Sequence, residues 1–245
     1  MKEQIEEKNT EQKASFWYRA QEFIQKNQKI LIICGSVILV VVAFLCLRAF
    51  VFTPNAQQKA VEEGYPSQGY YANAYDLYFG TNNPEEQKEA AQKALDGDGK
   101  NPGFKKLIDK HSGNLFHGTP ALANTNKYYA GIASLRLGKY DDAIKYLEDY
   151  DAEDYYTPSI KLMAEADAYV EKGDTKKAVE LYVQAAETNP NDMTSSFALF
   201  KAGLCCLMLN DNAEALKHFN TIKEKYPRSA EYNEIDYYIG IAEAK

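Results

Sequence analysis

The sequence contains few of the side chains that build metal sites and disulfide frameworks. Its 245 residues include four Cys and three scattered His. Cys34 and Cys46 lie inside an apolar run, and Cys205 and Cys206 are adjacent within a helical pattern, so no Cys-x-x-Cys or Cys/His ligand spacing occurs. We expect the four cysteines to be small buried apolar residues. The sequence predicts no metal site and no cofactor.

A basic surplus and a phosphate-binding loop are also missing. Residues 1–55 carry 7 Lys/Arg against 5 Asp/Glu, for +2, and the remainder carries 21 against 30, for −9. This acidic body lacks the basic footprint that nucleic acid requires. The stretch "GDGKNPG" lacks the Gly-Lys-Ser/Thr ending of a phosphate loop and indicates a turn-rich connector. Carboxylate pairs such as Asp141/Asp142 fall at predicted turns and helix starts, where capping is expected. The sequence therefore predicts a protein that is not an enzyme.

One long apolar run is present near the N-terminus. "ILIICGSVILVVVAFLCL", from Ile30 to Leu47, holds 18 residues without a charge, and 13 of them are Ile, Leu, Val or Phe. These 13 favour the bilayer by roughly 4–8 kcal/mol, and continuation through Phe52 covers the hydrocarbon core. A cleaved signal peptide is disfavoured because 29 residues come first and no Ala-x-Ala-like site follows. We predict an uncleaved transmembrane helix over residues 30–52.

The charges that flank this run predict its orientation. The basic residues on the N-terminal side are Lys13, Arg19, Lys26 and Lys29, and those on the other side are Arg48 and Lys59. The excess predicts a cytoplasmic tail over residues 1–29 and places the rest of the chain across the membrane. Within the tail, "FWYRAQEFIQK" has aromatic and basic residues at helical spacing. It forms either an interfacial helix along the membrane or the beginning of the anchor helix.

The C-terminal half is built from copies of one unit. "YYAGIA" at Tyr128 returns as "YYIGIA" at Tyr237, 109 residues later. Pairs of small residues repeat with it, at Gly131/Ala143, Ala166/Ala178 and Gly203/Ala215, and Gly240 begins a fourth copy. The turn-forming residues Gly138, Gly173 and Asn210 each follow the leading small residue by seven positions. Apolar residues between these marks recur every three or four positions, so each unit is predicted to be two antiparallel helices.

This pattern resembles the tetratricopeptide repeat, which has small residues where two helices approach and bulky residues beside them. The second copy matches best, at Ala166, Tyr169, Gly173, Ala178, Tyr182, Ala185 and Pro190. The first copy departs at Tyr150, and the third departs at Asn210 and Ile222. The resemblance implies about three repeats and a C-terminal helix over residues 119–245. Residues 53–118 are predicted to form a helical N-terminal cap or a degenerate repeat. The predicted fold is an all-α solenoid that follows a single N-terminal transmembrane helix.

A solenoid of this kind implies a concave groove lined by the first helix of each repeat. The predicted groove residues are Tyr128, Ile132, Leu135, Met163, Val170, Phe197, Phe200, Leu204, Leu207, Met208, Tyr237 and Ile241. The charged residues Arg136, Asp167 and Glu171 occupy groove-facing places as well. Such a surface suits an extended or helical hydrophobic peptide rather than an acidic C-terminus. The alternative is that many of these side chains form the core between helices, with the C-terminal helix folded over them.

The whole layout resembles the YfgM-type ancillary subunit of the bacterial SecYEG translocon, whose domain is shared with the cell-division coordinator CpoB. The approach to the span, with Phe23, Asn27 and Lys29, and the helical repeats carry this resemblance. It implies a single-pass inner-membrane protein with a periplasmic solenoid. The implied partners are the translocon, a membrane-anchored periplasmic chaperone of the prolyl-isomerase type and emerging secretory polypeptides. The alternatives are an envelope-assembly or cell-division scaffold and an organellar import receptor with the opposite exposure of its repeats.

Overall fold

The structure is a computed structural model, and it describes residues 17–80, 84–112 and 119–244. The regular elements of these residues are helices. The chain divides into two compact units, residues 1–55 and residues 56–245.

The first unit contains the apolar helix. Helix α1 covers residues 17–26, helix α2 is Gln28–Leu47, and a π-helical turn, Arg48–Phe52, follows it. The backbone N–H of Asn27 donates to the carbonyl of Phe23 at 3.0 Å, and that of Leu31 donates to the carbonyl of Asn27 at 2.9 Å. Hydrogen bonds of the helical type therefore continue through the α1–α2 junction. This geometry favours the interpretation in which the aromatic-basic stretch is the beginning of the anchor helix.

The segment Gln28–Phe52 is long and apolar enough to cross a membrane, by length and composition. None of the residues of α2 is buried within the protein. Cys34 and Cys46 are accordingly exposed, which corrects the expectation that all four cysteines are buried. Cys205 and Cys206 are buried as expected, and burial raises the pKa of the Cys206 thiol to about 11.

Three helices begin the second unit and precede the repeats. They are α3 (Thr53–Gly80), α4 (Pro84–Asp96) and α5 (Phe104–His111). The predicted connector lies between α4 and α5, where the Asp98 carboxylate accepts the backbone N–H of Lys100 at 2.9 Å and the Tyr70 hydroxyl of α3 at 2.8 Å. The backbone N–H of Asn101, which also donates to this carboxylate, and then the Tyr70 hydroxyl hold the pKa of Asp98 well below its usual range. The connector is therefore a tight turn that attaches α3 to the base of the solenoid.

The repeats form three antiparallel helix pairs and a final helix. The pairs are α6 (Pro120–Arg136) with α7 (Tyr140–Glu148), α8 (Thr157–Glu171) with α9 (Thr175–Glu187), and α10 (Thr194–Met208) with α11 (Asn212–Lys225). A 3₁₀ turn, Glu231–Asn233, leads into α12 (Ile235–Glu243). The predicted all-α solenoid is confirmed.

The turns between paired helices have the conformation that the sequence predicted. Gly138, Gly173 and Asn210 have φ of +73°, +84° and +58°, in the left-handed region. Glycine enters this region without strain, and Asn is one of the few other residues that tolerate it. Asp174 and Asp211 then cap the following helices, because their carboxylates accept backbone N–H groups of the first turn.

Small residues bring the paired helices together, as predicted. An ideal Cβ built on Gly131 lies 2.7 Å from Cγ of Leu147, and one built on Gly203 lies 2.3 Å from Cε1 of Phe219. Leu147 and Phe219 are fully buried. The bulky residue of the second helix thus fills the space that the missing side chain leaves on the first helix.

Candidate partner-binding groove

A cavity of about 690 Å³ opens along the first helices of the three repeats. Helix α6 contributes its C-terminal half, α8 contributes most of its length, and α10 contributes one turn. The lining residues are Tyr71, Tyr128, Ile132, Leu135, Arg136, Tyr140, Ile160, Met163, Ala164, Asp167, Val170, Glu171, Tyr182, Phe197 and Lys201. The surface is therefore mainly aromatic and aliphatic, with four charged side chains.

Half of the predicted groove residues line this cavity. They are Tyr128, Ile132, Leu135, Met163, Val170 and Phe197. The charged residues that were placed on the same face, Arg136, Asp167 and Glu171, line it as well. The structure thus brings together the predicted residues of the first two repeats and one residue of the third.

The remaining predicted groove residues lie elsewhere. Phe200, Leu204 and Leu207 pack against the core of the second and third repeats. Phe200 also contacts helix α12, whose Tyr238 ring meets the Phe200 ring edge-on with centroids 4.8 Å apart. For this cluster, the structure agrees with the alternative of an inter-helix core covered by the C-terminal helix.

Three predicted groove residues near the end of the solenoid are also outside the cavity lining. Met208 and Tyr237 are exposed by 63% and 68%, and Ile241 is half-buried. Tyr237 stacks edge-on with Tyr238, at a centroid distance of 5.3 Å. The cavity lining therefore reaches Phe197 and Lys201 of α10 and includes none of these three residues.

A charged network crosses the groove between the second and third repeats. The Lys201 ammonium on α10 donates to both carboxylate oxygens of Asp167 on α8, at 2.6 Å and 2.9 Å. The Tyr182 hydroxyl on α9 donates to the same carboxylate. Burial first, and then the neighbouring Asp167 charge, raise the pKa of Tyr182 well above its usual value. Tyr182 is therefore a neutral hydrogen-bond donor in this site.

Aromatic rings surround the same ammonium. The Lys201 nitrogen lies 5.1 Å from the centre of the Phe197 ring and 5.6 Å from that of Tyr182. These distances suit cation–π attraction, which adds to the ion pair with Asp167. At the first two repeats, the Tyr140 hydroxyl donates to the Glu171 carboxylate at 3.2 Å.

The sequence reasoning missed several lining residues. Ile160 occupies the second place of its repeat, and a consistent count of that place would have found it. Lys201 was not found because it reaches Asp167 only through the stacking of neighbouring repeats, and Tyr182 was not found because it belongs to a second helix, α9. Tyr71 comes from α3, outside the repeats, and its ring is 4.9 Å from that of Tyr129. No pattern in the sequence indicated that α3 contributes to the groove.

In the part of the chain that the structure describes, no group of three or more His, Cys, Asp or Glu side chains could hold a metal ion. The arrangement suits binding instead. An open apolar groove with a few fixed polar groups matches the general form of peptide-binding surfaces.

Comparison with known proteins identifies the repeat type. Residues 163–230 match a family model described as tetratricopeptide repeat. This region runs from α8 to the end of α11 and so contains most of the second and third helix pairs. No curated protein matches the chain significantly. Repeats of this type are typically non-catalytic and bind other proteins, so the comparison supports a protein-interaction role.

Proposed function

We propose that this protein is a membrane-anchored adaptor that binds a polypeptide partner in the groove of its tetratricopeptide repeats. The observation that carries this proposal is the open groove itself, in which successive first helices present Ile132, Val170 and Phe197. Apolar side chains that remain accessible in a groove favour binding of a partner that covers them.

The apolar helix supports the membrane part of the proposal. Gln28–Phe52 has 25 residues, and none of its most apolar stretch is buried inside the protein. Since basic residues are in excess on its N-terminal side, the tail is cytoplasmic and the solenoid lies across the membrane. In a bacterium this arrangement places the repeats in the periplasm, at the inner membrane.

The resemblance to the YfgM-type subunit supports a location beside the SecYEG translocon. In this role the groove receives emerging secretory polypeptides or docks a membrane-anchored periplasmic chaperone. An apolar groove suits both partners, because unfolded chains expose apolar segments that a folded protein buries.

Affinity purification of the full chain in mild detergent, with quantitative mass spectrometry, tests the proposal. Three forms are compared: wild type, Phe197→Asp in the groove, and Tyr237→Asp as the matched control outside it. We expect translocon subunits and a periplasmic chaperone to enrich with wild type and Tyr237→Asp, and to be lost with Phe197→Asp. Phe200 and Leu204 are unsuitable for this test, because they are partly buried and pack against the core.

Other outcomes would redirect the proposal. Enrichment of division or outer-membrane assembly factors alone would support the envelope scaffold. Protease treatment of intact and lysed spheroplasts tests the topology, and a solenoid that is digested only after lysis of the inner membrane would contradict the periplasmic location. Equal recovery of partners by all three forms would show that they bind outside the groove.

A further inference from the structure

We infer that the groove selects uncharged apolar and aromatic segments of polypeptide, because Asp167 and Lys201 neutralise each other on its surface. The inference rests on the proposed function and specifies the chemistry of the partner. The charges of Asp167 and Lys201 in the groove bind each other rather than being presented to a ligand.

Asp167 and Lys201 form a close ion pair in the groove. Asp167 and Lys201 belong to neighbouring repeats, and both carboxylate oxygens accept from the same ammonium at 2.6 Å and 2.9 Å. Their side chains are 34% and 26% exposed, so water reaches the pair only in part. A pair that is partly withdrawn from water keeps more of its attraction than a surface pair does.

Other side chains also contact both charged groups of the pair. Tyr182 donates a further hydrogen bond to Asp167. The rings of Phe197 and Tyr182 lie beside the Lys201 ammonium. A carboxylate or ammonium on a ligand would therefore have to displace contacts that are already formed.

The other two charged residues of the lining are Glu171 and Arg136. Glu171 accepts a hydrogen bond from Tyr140, and Arg136 is likewise engaged in an interaction. The four charged side chains consist of two cations and two anions, so their formal charges cancel. Beside the Asp167–Lys201 pair, a charged ligand residue would therefore lose water without meeting an unpaired opposite charge.

The net charge of the protein acts differently on acidic and on basic ligands. The chain beyond residue 55 has a formal charge of −9, which repels acidic peptides and attracts basic ones at low salt. Rejection of an acidic peptide would therefore have two causes. Rejection of a basic peptide would arise from the groove alone, and measurements near physiological salt reduce the long-range contribution.

Three peptide libraries provide the probes. All consist of capped peptides of about ten residues, which span about 33 Å when extended. Their positions are drawn from Leu, Phe, Tyr, Ala and Ser, and the libraries differ only in a central residue that is Ala, Glu or Lys. Binding is measured by fluorescence anisotropy to the full chain in lipid nanodiscs, with empty nanodiscs subtracted because apolar peptides partition into lipid.

Four variants accompany the wild type. Asp167→Asn leaves the Lys201 charge without its partner, and Lys201→Met leaves the Asp167 charge without its partner while keeping an apolar side chain beside the rings. The double variant removes both charges. Lys223→Met is the matched control, because it breaks an ion pair of 2.6 Å with Asp236 outside the groove.

We expect wild type, the double variant and Lys223→Met to prefer the Ala library over both charged libraries by about tenfold, the ratio that about 1.4 kcal/mol represents. Asp167→Asn should move the preference toward the Glu library, and Lys201→Met toward the Lys library. If a single variant does not fold, as judged by circular dichroism, the preferences of the wild type and the double variant still decide the question.

The failures of the two proposals are distinguishable. Binding of all three libraries to wild type with equal affinity would overturn the charge selectivity and leave the binding function standing. Single variants that fold but keep the preference of the wild type would overturn the role of the Asp167–Lys201 pair and likewise leave the binding function standing. If none of the three libraries binds to wild type, the result would count against the proposed peptide-binding function itself.

Discussion

Replacing Gly203 by Ala should destabilise the solenoid, although the change raises the intrinsic helix propensity of α10. An ideal Cβ at this position lies 2.3 Å from Cε1 and 2.6 Å from Cζ of the Phe219 ring. The ring is fully buried, and the rings of Tyr238 and Phe200 lie 5.9 Å and 6.3 Å from it. Because these neighbours restrict the ring, α10 and α11 must move apart to admit a methyl group.

The magnitude follows from two opposing contributions. Ala is favoured over Gly in a helix by about 1 kcal/mol. Overpacking of a filled core costs typically about 1–3 kcal/mol, and a contact this short belongs at the upper end. We therefore expect a net loss of about 1–2 kcal/mol in the free energy of unfolding. In a chain of this size that loss lowers the melting temperature by about 2–8 °C.

Gly240→Ala is the matched control. Gly240 occupies the same place on α12, but no heavy atom lies within 4 Å of its ideal Cβ. This variant should gain about 0.5–1 kcal/mol, since only the helix propensity changes. Thermal unfolding of the full chain in detergent micelles, followed by the near-ultraviolet circular dichroism of its 19 Tyr, measures both variants. Equal stabilisation by the two substitutions would refute the close approach of α10 and α11.

Three further predictions concern a turn and two buried titratable groups. Gly138→Ala should lower the free energy of unfolding by about 1 kcal/mol, because its φ of +73° disfavours a side chain, whereas Asn210→Gly should preserve or slightly raise it. Urea midpoints that move in the same direction by the same amount would contradict this. Burial raises the pKa of Glu165, so its contribution to stability is complete below the unfolded pKa of about 4.3 and is lost as the pH rises through the folded pKa. The stability of Glu165→Gln relative to wild type should therefore increase between pH 5 and pH 8, and a constant difference would refute the effect. Burial lowers the pKa of His218, so its contribution is present above the unfolded pKa of about 6.5 and is lost as the pH falls. His218→Gln should reduce the fall in melting temperature between pH 7 and pH 5, and an unchanged fall would exclude His218 as a cause.

The repeat pattern could be predicted because the residues that define it act through properties of their own. Gly138 and Gly173 end helices through their own backbone freedom, and Gly131 and Gly203 permit close packing because they lack a side chain. These properties belong to single residues, and their regular spacing reveals the register of every helix pair. The same reasoning identified the apolar helix, since length and composition decide that prediction.

The groove could be predicted only in part. Counting positions within a repeat placed Ile132 and Met163 on the correct face, because every first helix of an interior repeat presents the same side. Phe200 and Leu204 do not line the cavity but pack against the core, and Phe200 contacts Tyr238 of α12. A rule for interior repeats does not apply at the end of a stack.

The sequence by itself thus determined the repeat register, the turns, the helix pairs and the apolar helix. Tertiary structure alone decided which predicted groove residues stay open to a partner, and it brought Lys201 against Asp167, a residue 34 positions earlier in the chain. It also placed Tyr71 of α3 at the groove. The reason is physical: turns and close contacts depend on the size and backbone freedom of single residues. Contacts between repeats depend instead on the angle at which whole helix pairs stack, which is set by many side chains together.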